Sequence, residues 1–235
     1  MTSPRSRPGG AAARRRNGIN EVRPVPRIAV LGAGHVGPVI ARVAVEAGYP
    51  VAIAASGDPQ RIDLITRVLA PGAEPRSAAD AVADADVVVL AIPIHKFAGF
   101  DPALVAGKIV VDVMNYWPPV DGVQQMFEGG REGTSEIVQR RLAGSTVVKT
   151  LNHIGYHELA DQRRPVGSPQ RRALGVAGDD PAAVDVVANV VERVGYDAVR
   201  LESLRAGRLF EAGGPVFGAS LRRSDFELAV RAEAA

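Results

Sequence analysis

Ile28-Ala29-Val30-Leu31-Gly32-Ala33-Gly34-His35-Val36-Gly37, entered through Arg27, decides the fold. Ile28 to Leu31 is an apolar run that ends in glycine, the pattern of a strand buried on both faces of a parallel sheet. Val39, Ile40, Val43 and Ala44 then recur at helical spacing up to Gly48, a glycine suited to end a helix. A Gly-x-Gly-x-x-Gly turn between such a strand and such a helix is a dinucleotide-binding pattern. The glycine at 32 permits the tight turn, the one at 34 lets backbone approach a pyrophosphate, and the one at 37 lets helix and strand pack closely. The helix N-terminus offers free N–H groups to the phosphates. Gly32, Gly34, His35, Val36 and Gly37 are the expected phosphate-side contacts. The competing reading is a glycine-rich strand-to-helix turn without a ligand, and the spacing of the three glycines in that context favours the nucleotide.

The rhythm continues outward. Val51–Ala54 is a second strand, and Asp58-Pro59 opens a second helix with an aspartate N-cap and proline at the first helical position. Ile62, Leu64, Ile65 and Val68 are that helix's expected apolar face. Ala78–Ala85 predicts a short helix, and Val87–Ile92 and Ile109–Val113 predict strands. Pro118, Pro119, Gly122, Gly129 and Gly130 make 115–133 an excursion. Helix 135–142, strands 146–150, 173–177 and 196–201, and helices 180–193 and 204–212 complete the series. The expected fold class is α/β, a doubly wound parallel sheet with a small C-terminal α/β extension. The expected organisation is a disordered leader over 1–24, a Rossmann domain over 25–150, a small C-terminal domain completing the cleft over 151–225, and a tail over 226–235.

The end of the second strand speaks to cofactor choice. NAD binders usually place Asp or Glu there for the ribose 2′-hydroxyl. Here the position falls near Ala55 or Ser56. Ser56 and the backbone of Gly57 suit a 2′-phosphate, with Arg61 supplying charge. Asp58 precedes Pro59, so helix capping competes with ribose binding for it. NADP(H) is the favoured nucleotide. Ala91, Ile92 and Pro93 should line the groove at the carboxyl edge of the sheet, where ligands lie in open α/β folds. Asn115 is either a contact near the nicotinamide or a turn residue.

Composition narrows the field. The net charge of +2 divides into +5 over residues 1–24 and −3 over the rest, so the body makes no case for nucleic-acid binding. The Pro-, Gly- and Arg-rich leader lacks the apolar stretch of a secretory signal. No run approaches the roughly 20 apolar residues of a membrane span. The chain has no cysteine, which excludes disulfides, thiolate metal sites and cysteine nucleophiles and agrees with a reducing cytoplasm. His153 and His157 have the i,i+4 spacing of helix metal ligands, but Gly155 lies between them and no third ligand is evident, so no metal is expected.

Gly32–Gly37, the Ser56 turn, Leu90-Ala91-Ile92-Pro93 and the strand leading to Asn152-His153-Ile154 together resemble the NADPH-dependent reductases of the deazaflavin coenzyme F420. The resemblance covers about residues 27–220 and is specific only as a set. It implies direct hydride transfer between nicotinamide C4 and deazaflavin C5, and a homodimer. It also implies that Asn152, His153, Ile154 and Gly155 wall the deazaflavin side, with 213–218 closing over it. Two features depart from the family pattern: Ala55-Ser56 stands where members often carry Ser-Arg, and Asn115–Pro119 looks like a subgroup feature. Transfer between flat rings needs distance, facing and exclusion of water rather than an acid or base. A carbonyl or imine substrate would need a proton donor. His153, Tyr116 and Lys149 are the candidates, each with a structural alternative: a satisfied buried histidine, a loop residue, a strand end in solvent. Arg163, Arg164, Arg171 and Arg172 suit an anionic cofactor tail or a solvated basic face. A third possibility is a non-catalytic NADP(H) sensor.

Overall fold

The computed structural model describes residues 25–130 and 132–233, so the leader expected over 1–24 lies outside the described residues. In chain order the elements are β1 (Ile28–Leu31), α1 (Val36–Glu46), β2 (Val51–Ala54), α2 (Asp63–Leu69), β3 (Glu74–Pro75), α3 (Ala78–Ala83), β4 (Val87–Leu90) and β5 (Ile109–Asp112). They continue with α4 (Pro118–Asp121), α5 (Thr134–Arg141), β6 (Thr146–Lys149), α6 (Tyr156–Asp161), β7 (Ala173–Gly178), α7 (Pro181–Val194), β8 (Asp197–Leu201) and α8 (Arg223–Glu233).

One eight-stranded sheet runs in the order β3-β2-β1-β4-β5-β6-β7-β8. The chain fills β2 and β3 on one side of β1 and then crosses to β4 on the other. This reversal opens a crevice at the carboxyl ends of β1 and β4, where the fold class places its ligands. Ile28 and Val30 pack with Ile40 and Val43 of α1 and Val187 and Val191 of α7. Ala29 and Leu31 pack on the opposite face with Val82 of α3 and Val138 of α5. Burial on both faces explains why the strands read as unbroken apolar runs.

The first six strands are parallel, but β7 joins β6 antiparallel and then pairs β8 in parallel. The C-terminal extension therefore reverses direction within the sheet. It has its own apolar cluster, including Phe210, Val216 and Phe226.

Two expectations need correction, and one strand lies outside all of them. The helix expected from Asp58-Pro59 starts as a 3-10 turn, Pro59–Ile62, and α2 follows. Its buried stripe is Ile62, Thr66 and Ala70, at i, i+4 and i+8, which turns Leu64 and Val68 outward at 69% and 66% exposure. A hydroxyl on the core side outweighs the apolar pattern because the stripe must continue to Ala70. The edge strand β3 was not foreseen, since Glu74-Pro75 is too short to carry a period. The tail expected from 226 is helix α8 through Glu233, anchored by the buried ring of Phe226.

Candidate functional site: a groove from the glycine turn to the Asn115–Asn152 wall

The glycine turn is built almost entirely from backbone. Gly32 has φ +125, and a Cβ there would lie 2.2 Å from the carbonyl oxygen of Ala91. A Cβ on Gly37 would lie 1.8 Å from the carbonyl oxygen of Gly32. Gly34 differs, because a Cβ there would meet no atom beyond its chain neighbours within 4 Å among the described residues. Two glycines are thus required by the fold, and the third borders open space. Helix α1 starts with no side-chain cap on its first N–H groups and no acidic residue in its first turn. Uncapped donors and the positive end of the helix dipole suit a phosphate. A pyrophosphate fits this cradle.

Beyond β2, Ser56 and Gly57 are exposed, and Gly57 has φ +96. The Arg61 guanidinium reaches to 4.0 Å from where a Cβ on Gly57 would stand. The three residues expected to meet a 2′-phosphate therefore sit together at the surface. Asp58 accepts a hydrogen bond from the Gln60 amide at 2.8 Å, which is the capping duty. Ala91 abuts Gly32 by its backbone, and Ile92 and Pro93 follow it out of the sheet at the crevice.

The far wall is a side-chain construction. Asn115 donates through Nδ2 to the Asn152 carbonyl at 2.7 Å, and Asn152 donates through Nδ2 to Asn115 Oδ1 at 2.9 Å and to the Phe210 carbonyl at 2.6 Å. Asn115, Asn152, Ile154, Gly155, Phe217 and Gly218 line a cavity of about 410 Å³, with Val36 of the glycine turn on its other side. The loop 213–218 is docked here, since the Gly218 amide donates to the His153 carbonyl at 3.0 Å. Leu151, next to Asn152, holds φ +60, a conformation that costs a leucine about 1–2 kcal/mol.

Of the three candidate proton donors, none offers a free proton to this cavity. His153 is 1% exposed, with its ring against Phe210 and Phe226. Its Nε2 accepts from the Gly175 amide at 3.1 Å, so the neutral tautomer carries its proton on Nδ1, toward Asn152 Oδ1. Burial, reinforced by the nearby charges of Arg172 and Lys149, pushes its pKa down to about 3. Of the two readings of His153, the buried and hydrogen-bonded ring takes the structural one. Lys149 ends its strand fully buried, with its ammonium against Asp112, rather than in solvent. The Tyr116 hydroxyl is engaged by the Glu128 carboxylate and accepts from the Gln124 amide. The amide lowers its pKa, but Glu128, burial and neighbouring negative charge outweigh this and raise it.

The arginines are corrected too. Arg171 and Arg172 are both 3% exposed, so neither makes a solvated face. Arg171 pairs with Asp197 at 2.8 Å, and Arg172 pairs with Glu158 at 2.9 Å. Arg172 also holds the Glu158 carboxyl below the usual range, its hydrogen bond outweighing the opposing effect of burial. Arg163 pairs with Glu46, and Arg164 donates to the carbonyls of Asp161 and Arg163. Trp117 is exposed rather than stacked over the cavity. Among the described residues no cluster of three metal-ligating side chains occurs, and no helix is long and apolar enough to cross a membrane.

Sequence reasoning missed Tyr156. Its ring stacks on His35 at 5.7 Å and lines both the 410 Å³ cavity and a valley of about 590 Å³ beside Gly34, Arg42 and Ile65. The signal was present: Tyr156 is the first helical residue after Asn152-His153-Ile154-Gly155, and a helix start at Gly155 turns it back toward α1.

Residues 27–116 match the family model described as NADP oxidoreductase, coenzyme F420-dependent. No curated protein matches the sequence. Among solved structures, a hypothetical protein from Sinorhizobium meliloti aligns with TM-score 0.72 at 28% identity, over 84% of this chain and 96% of that one. A candidate F420-dependent NADP-reductase from Arthrobacter sp. FB24 aligns with TM-score 0.61 at 26% identity, over 75% of this chain and 84% of that one. An imine reductase from Pseudomonas sp. aligns with TM-score 0.51 at 17% identity, over 89% of this chain and 61% of that one, a likeness of fold alone. The chain is an NADP-linked oxidoreductase of Rossmann fold, and its residues 27–116 are similar to the F420-dependent NADP oxidoreductases.

Proposed function

We propose that this protein transfers a hydride between NADP(H) and a flat second ligand, coenzyme F420 being the favoured one. The observation that carries the reading is the shared cavity, in which Val36 of the glycine turn and the Asn115, Ile154 and Phe217 wall border the same space. Gly32, Gly34, His35, Val36 and Gly37 hold the pyrophosphate. Ser56, Gly57 and Arg61 receive the 2′-phosphate, and Ala91, Ile92 and Pro93 line the groove between. Asn115, Asn152 and Ile154 orient the nicotinamide and its partner. When bound, NADPH would supply a hydride from nicotinamide C4 and a deazaflavin ring would accept it at C5. The protein's share is to align the two rings and exclude water. The engaged or buried state of His153, Lys149 and Tyr116 supports an acceptor that asks no proton of the protein.

Mixing the protein with NADPH and oxidised F420 should bleach the deazaflavin absorbance. No bleaching at neutral or mildly alkaline pH removes F420 as the partner.

A second reading, reduction of a small carbonyl or imine, is favoured by one observation: the half-buried Tyr156 side chain borders the cavity, and its hydroxyl has no hydrogen-bond partner among the described residues. Under that reading Tyr156→Phe lowers kcat by about 100-fold, the usual size of a general-acid contribution. Unchanged turnover of such a substrate sinks it.

A further inference from the structure

Asp112 and Lys149 are the last residues of β5 and β6 and stand opposite each other in the parallel register. Both are fully buried. Asp112 accepts from the Met114 amide through Oδ1 at 2.9 Å, and through Oδ2 from the Ser135 hydroxyl at 2.5 Å and from Lys149 Nζ at 3.2 Å. The same ammonium donates to the Met114 carbonyl at 2.5 Å. Opposite charges therefore grip the N–H and the C=O of one residue. Gly207 seals the pair, since a Cβ there would lie 3.1 Å from Lys149 Cγ. The next residue along the chain is Asn115, at the cavity wall.

A buried ion pair is a poor device for stability alone, because a well-packed apolar pair of similar volume usually serves as well. Satisfying a backbone N–H and C=O needs only neutral partners. What charge adds here is stiffness, in short, directional hydrogen bonds to a single peptide unit on each side. We propose that Asp112 and Lys149 are positioning residues for the nicotinamide end of the cofactor, acting through the Met114 backbone to fix the direction in which Asn115 leaves the sheet. This rests on the nucleotide reading above.

The test compares two ligands. Adenosine 2′,5′-bisphosphate reports the adenosine and 2′-phosphate side and carries no nicotinamide, whereas NADPH reports both. The double variant D112N/K149M removes both charges, so no lone ion is left buried. It should weaken NADPH about tenfold while the bisphosphate stays within about twofold of wild type, the scale of losing one charged hydrogen-bond network. Asn115→Ala should show the same split. The triple variant should bind NADPH no more weakly than Asn115→Ala, because residues acting in one chain are not additive. Should the double variant not fold, Ser135→Ala removes one bond to Asp112 and should show the same split at about threefold. Parallel loss of both ligands, unchanged NADPH binding, or additive effects would each overturn the proposal. A wild type that fails to bind NADPH takes the nucleotide reading down with it. A wild type that binds, with variants that show no split, overturns the positioning role alone.

Discussion

The glycine turn at 32–37 and the wall formed by Asn115 and Asn152 meet at one cavity, and they are made differently. The turn works through backbone: a positive φ at Gly32, close carbonyl approaches at Gly32 and Gly37, and uncapped N–H groups on α1. The wall works through side chains: two asparagines exchanging hydrogen bonds, a buried ion pair beneath one, and a leucine at φ +60 before the other. A backbone site depends on which residues lack a side chain. A side-chain site depends on partners distant in sequence, 37 positions apart for Asn115 and Asn152. The turn should therefore break when a single Cβ is added, and the wall when a partner is removed.

The sharpest way to break the comparison lies within the turn itself. Gly37→Ala drives a methyl into the Gly32 carbonyl, a clash with rigid backbone on both sides. Urea unfolding should show a loss of more than about 3 kcal/mol, beyond the usual range for overpacking because neither side can yield. Gly34→Ala meets nothing in the protein and should unfold at the same urea concentration as wild type. Its methyl stands where the pyrophosphate would approach, so NADPH affinity should fall. If Gly34→Ala binds NADPH normally, the phosphate does not pass there.

On the wall side, His153 offers a test of intermediate size. Its pKa is about 3 in the folded protein, against about 6.5 when unfolded. Between those values the unfolded chain binds the extra proton, so stability is fully present above pH 6.5 and is lost as pH falls toward 3. At pH 5 the loss relative to pH 7 is about 2 kcal/mol. Replacing the ring with glutamine should flatten that part of the pH–stability curve. A wild-type curve with no fall between pH 7 and 5 would mean that His153 is not held neutral by burial.

The same contrast explains what could be read from the sequence. The glycine turn, the Ser56 position and the strands around them are local patterns, set by period and by residues that force a backbone choice. The structure keeps all of them. Leu64 and Val68 misled because hydrophobic period names a stripe without saying which side the sheet is on; Thr66 and Ala70 decide that through the turn that follows. Arg171 and Arg172 read as a site for an anionic tail or as solvated charge because their partners, Asp197 and Glu158, come from other elements. The reversal at β7 was hidden for a related reason. Strand direction depends on whether the link over 150–172 crosses back over the sheet, and that link has only the six-residue α6. Lys149 is legible as a strand end but not as buried, since its partner, Asp112, stands on another strand 37 positions earlier.

The smallest effect separates two duties at the cofactor-choosing turn. Asp58 caps the Pro59–Ile62 turn through the Gln60 amide, while Ser56, Gly57 and Arg61, proposed to meet a 2′-phosphate, are exposed at the surface. Removing the cap should cost about 1 kcal/mol, the usual value for an aspartate N-cap, and leave the ratio of NADPH to NADH affinity unchanged. Arg61→Ala should do the reverse, lowering that ratio about tenfold with no measurable change in stability, as expected for an exposed cation whose partner is a phosphate on the ligand. Asp58→Ala and Arg61→Ala, measured by urea unfolding and by titration of both nucleotides, give four numbers. If Asp58→Ala instead shifts the ratio toward NADPH, the carboxylate holds a ribose hydroxyl, and the preference for the 2′-phosphate has been read from the wrong residue.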